Sequence, residues 1–189
     1  SSQDSMDAIA EELGGLKEEI LQTMNAKYGD KFLFSGSSNS EAPFTVDGDG
    51  NLLFNGKPVD AYDKNDPDTY FDENKPVYLD IGFGTYASGT NTAKTGIKIS
   101  TSGADVLGYG KDENGLPNNL YSLIGKMEEQ LRGGDREGAM DTLSQLKKKQ
   151  SNISIATSEL GTREKLLDRT EDRLETGLIN LQKSQTDLE

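Results

Sequence analysis

The chain has 189 residues, 32% of them hydrophobic, with no cysteine, no histidine and a formal net charge of −13. Without cysteine or histidine it has no disulfides, no thiolate metal sites and no imidazole, the commonest general base and transition-metal ligand, while its negative charge repels nucleic acid and anionic lipid headgroups. So low an apolar content is sparse for a compact globule and fits an elongated body better, and no run of about 18 apolar residues is present to span a membrane.

From the start of the chain, Met6, Ile9, Leu13, Leu16, Ile20 and Met24 recur every three or four residues. That spacing gathers side chains on one helical face, so the chain opens inside an amphipathic helix. Residues 1–30 lack the basic start and short apolar core of a signal peptide. The composition then changes: the seven tyrosines and six phenylalanines all lie between Tyr28 and Tyr121, and the five prolines between Pro43 and Pro117. This middle stretch reads as short strands at Phe32–Phe34, Phe44–Val46, Leu52–Phe54, Val77–Ile81 and Ile97–Ile99. Asp47-Gly48-Asp49-Gly50-Asn51 and Asn55-Gly56 supply the positive φ angles of tight turns, which predicts a hairpin at the first of them. Residues 60–76, rich in Asp, Asn, Lys and Pro, and residues 82–96, rich in Gly, Thr, Ser and Asn, read as loops.

After Pro117, the spacing of Leu120, Leu123, Ile124, Met127 and Leu131 predicts a helix that Gly133-Gly134 ends and Asp135 restarts as an N-cap. No proline follows, so the second helix is expected to run to Glu189, about 54 residues and roughly 80 Å. Leu146, Ile153, Leu160, Leu167, Leu174, Leu181 and Leu188 fall at intervals of seven along it, and the chain ends with that ladder still running, as in a helix cut off partway. Three residues before each rung come Leu143, Gln150, Thr157, Glu164, Glu171, Leu178 and Gln185. A seam so polar disfavours a strict two-chain coiled coil and suggests contacts with several neighbours. The expected fold class is α+β. Residues 1–30 with 118–189 form an elongated antiparallel helical bundle, a stalk built from both chain ends, and residues 31–117 form an inserted β-rich domain.

Candidate reactive groups have plainer readings. Asp47, Asp49 and Asn51 imitate the opening of a calcium loop, yet the position that needs a bidentate Glu is Pro58. Asp63, Asp66, Asp68 and Asp72 read as a solvated loop and Lys147-Lys148-Lys149 as a solvated helix face. Chance carboxylate pairs are unavoidable in so acidic a chain, and no tryptophan is present to build a sugar platform beside one. Gly82-Phe83-Gly84 lacks the third glycine and following helix of a dinucleotide fingerprint. No catalytic, cofactor-binding or metal residue is assigned, no cofactor is expected, and the chain is read as not an enzyme.

At Asn25-Ala26-Lys27-Tyr28-Gly29-Asp30-Lys31-Phe32-Leu33-Phe34-Ser35-Gly36, followed by Pro43-Phe44, the chain resembles the flagellin superfamily, and within it the hook-filament junction family (hook-associated protein 3). The resemblance continues at Ser102-Gly103-Ala104-Asp105-Val106-Leu107-Gly108, at Leu131-Arg132-Gly133-Gly134-Asp135 and, more weakly, at Glu159-Leu160-Gly161-Thr162-Arg163-Glu164-Lys165-Leu166-Leu167. Asp30 departs from the pattern as an extra acid, and residues 45–100 match nothing in it. The resemblance implies a structural adaptor of the bacterial flagellum that joins the hook, through hook-associated protein 1, to the flagellin filament and assembles as a ring through its helices. It implies an extracellular place, export through the flagellar secretion channel without a cleaved signal, an export chaperone, and further heptad-rich segments that order only on assembly. The isolated chain is expected to be a monomer. The alternatives are flagellin or a minor flagellin, which share the helical part, and a coiled-coil adhesin or phage-tail stalk.

Overall fold

The computed structural model of the protein describes residues 1–36, 41–71, 77–80, 84–87, 96–100 and 103–151, with Asp168, Asp172 and Gly177 as further helical positions. Helices and three small antiparallel sheets make the fold α+β. The chain divides into two compact units, Ser1–Ile20 with Leu120–Glu189, and Leu21–Asn119.

The first unit is helical. Helix α1 spans Ser2–Met24, and Ser1 caps it by accepting the Asp4 N–H on Oγ at 3.2 Å. Its buried stripe is Met6, Ala10, Leu13, Leu16, Ile20 and Met24. Ala10 thus takes the place expected for Ile9, which is half-buried instead and lies beside Gly177, where an added Cβ would come within 3.3 Å of Ile9 Cγ1. Helix α3 (Leu120–Arg132) buries Leu120, Tyr121, Leu123, Ile124, Met127 and Leu131, and helix α4 (Arg136–Ser151) buries Ala139, Thr142, Leu143 and Leu146. Lys17 of α1 reaches α3 with its Nζ 3.1 Å from Glu128 Oε1 and 5.3 Å from the Tyr121 ring centroid.

The turn between α3 and α4 follows from its residues. The Asp135 N–H donates to Gln130 O at 2.8 Å and the Gly134 N–H to Leu131 O at 3.1 Å, the paired bonds of a Schellman cap, with Gly134 at φ 77° where a side chain would be strained. Asp135 then caps α4 by accepting the Gly138 N–H on Oδ1 at 2.9 Å. The expected ladder from Ile153 to Leu188 lies outside the described residues.

The second unit holds the sheets. Strands β1 (Lys27–Tyr28) and β2 (Lys31–Phe32) form a short hairpin, and β3 (Phe44–Val46), β4 (Leu52–Phe54) and β5 (Lys57–Pro58) a three-stranded sheet in that order. The β3–β4 hairpin closes through Asp47–Asn51 as expected, in register Phe44↔Phe54 and Val46↔Leu52. Asn55 and Gly56, at φ 49° and 84°, turn β4 into β5. The third sheet, β6 (Val77–Asp80), β7 (Gly84–Ala87) and β8 (Gly96–Ser100), runs in the order β7-β6-β8.

Two expectations need correction here. Strand β7 lies inside the stretch read as a loop, because Thr85 and Tyr86 pair with Leu79 and Tyr78 despite their glycine-rich flanks. The strand expected over Phe32–Phe34 stops at Phe32, because Leu33 and Phe34 enter a turn that the Ser35 hydroxyl closes on Phe32 O at 3.1 Å. A short helix, α2 (Gly103–Leu107), follows β8 where the sequence carries too few residues to show a helical period.

Candidate assembly site

The segments that carry the family resemblance in the second unit, separated in sequence by the β insert, meet at one buried node. After α1 the chain cannot continue as helix beyond Asn25, whose side chain instead reaches across to Phe44. Asn25 Nδ2 donates to Phe44 O and Asn25 Oδ1 accepts the Phe44 N–H, both at 2.9 Å. Phe44 and Phe54 face each other across β3 and β4 while Asn55 N–H bonds Pro43 O at 2.8 Å, so the free edge of Phe44 is the one that Asn25 occupies. The side-chain amide therefore acts as one more residue of sheet.

Around this latch the Phe32–Gly36 turn folds inward. Buried Ser35 donates its hydroxyl to Phe32 O at 3.1 Å, and Asn55 Nδ2 donates to Ser35 O at 3.1 Å. Lys27 Nζ sits 4.5 Å from the Phe32 ring centroid, leaving Tyr28 82% exposed at the tip of the β1–β2 hairpin. From the far side of the insert, the first residue of α2 docks by the Gly103 N–H to Phe34 O bond at 2.8 Å. A Cβ on Gly103 would lie 2.4 Å from Phe44 Cε2 and 3.1 Å from Phe34 Cβ, so only glycine admits this approach. Ala104, Val106 and Leu107 continue the buried surface, and Phe44, Phe54 and Phe71 pack with ring centroids 5.1 and 5.4 Å apart. The polar groups of the node are amides and one hydroxyl, each bonded to backbone. Such a site fixes geometry.

The acidic clusters noticed in the sequence are turn caps. Asp47 Oδ1 accepts the N–H groups of Asp49 and Asn51 at 2.9 and 2.8 Å, and Oδ2 accepts Asn51 Nδ2 at 3.1 Å. Asp63 and Asp66 likewise accept the N–H groups of Asn65 and Asp68, while Asp72 lies outside the described residues. The bonds to Asp47, led by the Asn51 N–H, hold its carboxyl below the ordinary aspartate range. A depressed folded value means that this contribution to the hairpin is present above the unfolded pKa and lost as pH falls through the folded one. Carboxyl titration by NMR should give Asp47 a midpoint below that of an unstructured aspartate, with the Asn51 amide shift following it; a midpoint at or above the unstructured value contradicts the cap.

Lys147, Lys148 and Lys149 lie in the last turns of α4. Gly84 opens β7, and Gly82 and Phe83 lie outside the described residues. What the sequence did not disclose is an open groove of 660 Å³ between residues 60–64 and the segment from Tyr109 to Asn118. Tyrosines in both segments were the signal available for it.

No protein-family profile matches the chain, and no curated protein matches it either. A solved structure provisionally named as a flagellar hook-associated protein, from Vibrio parahaemolyticus, is similar over 98% of this chain and 80% of that one, at 12% identity and a TM-score of 0.42. A likeness of that size fixes neither family nor function.

Proposed function

We propose that this chain is a structural adaptor of the bacterial flagellum, a hook-filament junction protein with no catalytic activity. The observation that carries the reading is the node: Asn25–Gly36, Phe44 and Gly103–Leu107, the stretches by which the sequence resembles that family, are bonded to one another around Phe44. The Leu131–Asp135 block of the same resemblance forms the capped turn between α3 and α4. A motif scattered along the chain by chance has no reason to converge on backbone-specific contacts of this kind.

On this reading the protein works by geometry. Helix faces of neighbouring subunits pack side by side in a ring, with hook-associated protein 1 at one end and the first flagellin layer at the other, outside the cell after export through the flagellar channel with a chaperone's help. The dilute protein is a monomer. Deleting the gene in its own bacterium is expected to leave hooks without filaments and monomeric flagellin in the medium. Loss of the bulk filament subunit itself would make the chain a flagellin, and intact filaments would overturn the flagellar reading in favour of an adhesin-type stalk.

A further inference from the structure

We propose that the groove beside Tyr62 and Tyr109 is a binding site for a neutral saccharide of one or two rings. The groove's 660 Å³ falls within the size range of small-molecule sites, about 300–1,000 Å³. Its floor is aromatic. Tyr62 stacks on Tyr70 and Phe71, with centroids 5.3 and 5.6 Å away, and Tyr109 stands across that stack at 4.6 Å from Tyr62 and 75° to its plane. Both tyrosines are half-buried and line the groove, each an apolar ring with a hydroxyl at its end.

The rim supplies what a sugar's hydroxyls need. Asp60 and Asp63 bring acceptors, Lys64 and Lys111 donors, and Asn118 an amide whose Nδ2 is held on Tyr109 O at 3.1 Å. Asp63 commits Oδ1 to the Asn65 N–H at 2.9 Å and lines the groove. The ammonium groups of Lys64 and Lys111 make no ion pair among the described residues. Two carboxylates against two ammonium groups leave the lining without net charge, which selects against phosphates and against organic cations, each of which meets a like charge. The Tyr109 hydroxyl is an O–H donor at neutral pH, and burial first, then Asp105 and Tyr62, push its pKa further above the ordinary value. The walls are prebuilt: the Gly110 N–H bonds Val59 O at 2.7 Å and the Asn118 N–H bonds Gly110 O at 3.0 Å, so little ordering remains to oppose binding. The site stands independently of the flagellar reading.

Saturation-transfer NMR of the whole chain with maltose, cellobiose and N,N′-diacetylchitobiose, each at millimolar concentration, tests this. Transfer to the ring protons of at least one disaccharide is expected, weakened about tenfold in Tyr109→Ala and clearly reduced in Asp63→Asn, which keeps the turn bond. Lys111→Ala, an exposed position, serves in place of Tyr109→Ala if that variant melts early. No transfer from any of the three sugars, or equal transfer to wild type and to the folded variants, overturns the proposal.

Discussion

Gly103→Ala is expected to destabilise the protein by about 1–3 kcal/mol, the range of an overpacked core position. The added methyl would sit 2.4 Å from Phe44 Cε2 and 2.8 Å from Cζ. Phe44 has nowhere to retreat: it is 2% exposed, its ring lies 5.1 Å from that of Phe54, and its backbone is pinned on both edges. If α2 gives way instead, the Gly103 N–H loses Phe34 O. Either relief breaks the node. For a chain of this size the loss corresponds to a fall in Tm of roughly 2–12 °C, followed by circular dichroism. A melting curve coincident with wild type would show that α2 does not dock as described.

Asn25→Ala is the second large effect. It strips the Phe44 N–H and C=O of their partners, and an unsatisfied buried group costs about 1–3 kcal/mol, so a loss of about 2–4 kcal/mol is expected at this partly buried position. Asn25→Asp separates the latch from mere bulk. At neutral pH the carboxylate accepts the Phe44 N–H but repels the Phe44 carbonyl, giving a stability near that of the alanine variant. As pH falls through the carboxyl's pKa the protonated acid regains a donor, and Asn25→Asp should gain stability relative to Asn25→Ala. Parallel behaviour of the two variants from pH 7 to pH 3 would contradict a two-bond latch.

These two residues also mark where the sequence stops being legible. Helix α1, helix α3 with its Gly-Gly stop and Asp restart, and the β3–β4 hairpin were readable because local periodicity or turn chemistry dictates them. Strand β7 was not, since its identity comes from pairing with β6 and its own composition looks like loop. Asn25 gives no local sign of the latch, because its partner lies 19 residues away and offers backbone groups, which leave no trace in residue type. Gly103 carries no local signal of its role, and only the packed ring of Phe44 reveals why a side chain is forbidden there. The groove depends in the same way on two loops that only the fold brings together.

The doubly used Asp135, closing one helix and opening the next, has a consequence for the order of events in folding. Helices α3 and α4 are joined by contacts a few residues apart, so their hairpin can form as soon as that stretch of chain is free, on the microsecond scale of local structure. Helix α1 meets α3 only across a long span: Lys17 and Glu128 are 111 residues apart, and closing a loop of that length costs about 4 kcal/mol in chain entropy before any contact offsets it. The hairpin is therefore the template, and the N-terminal helix arrives last, onto a surface already made.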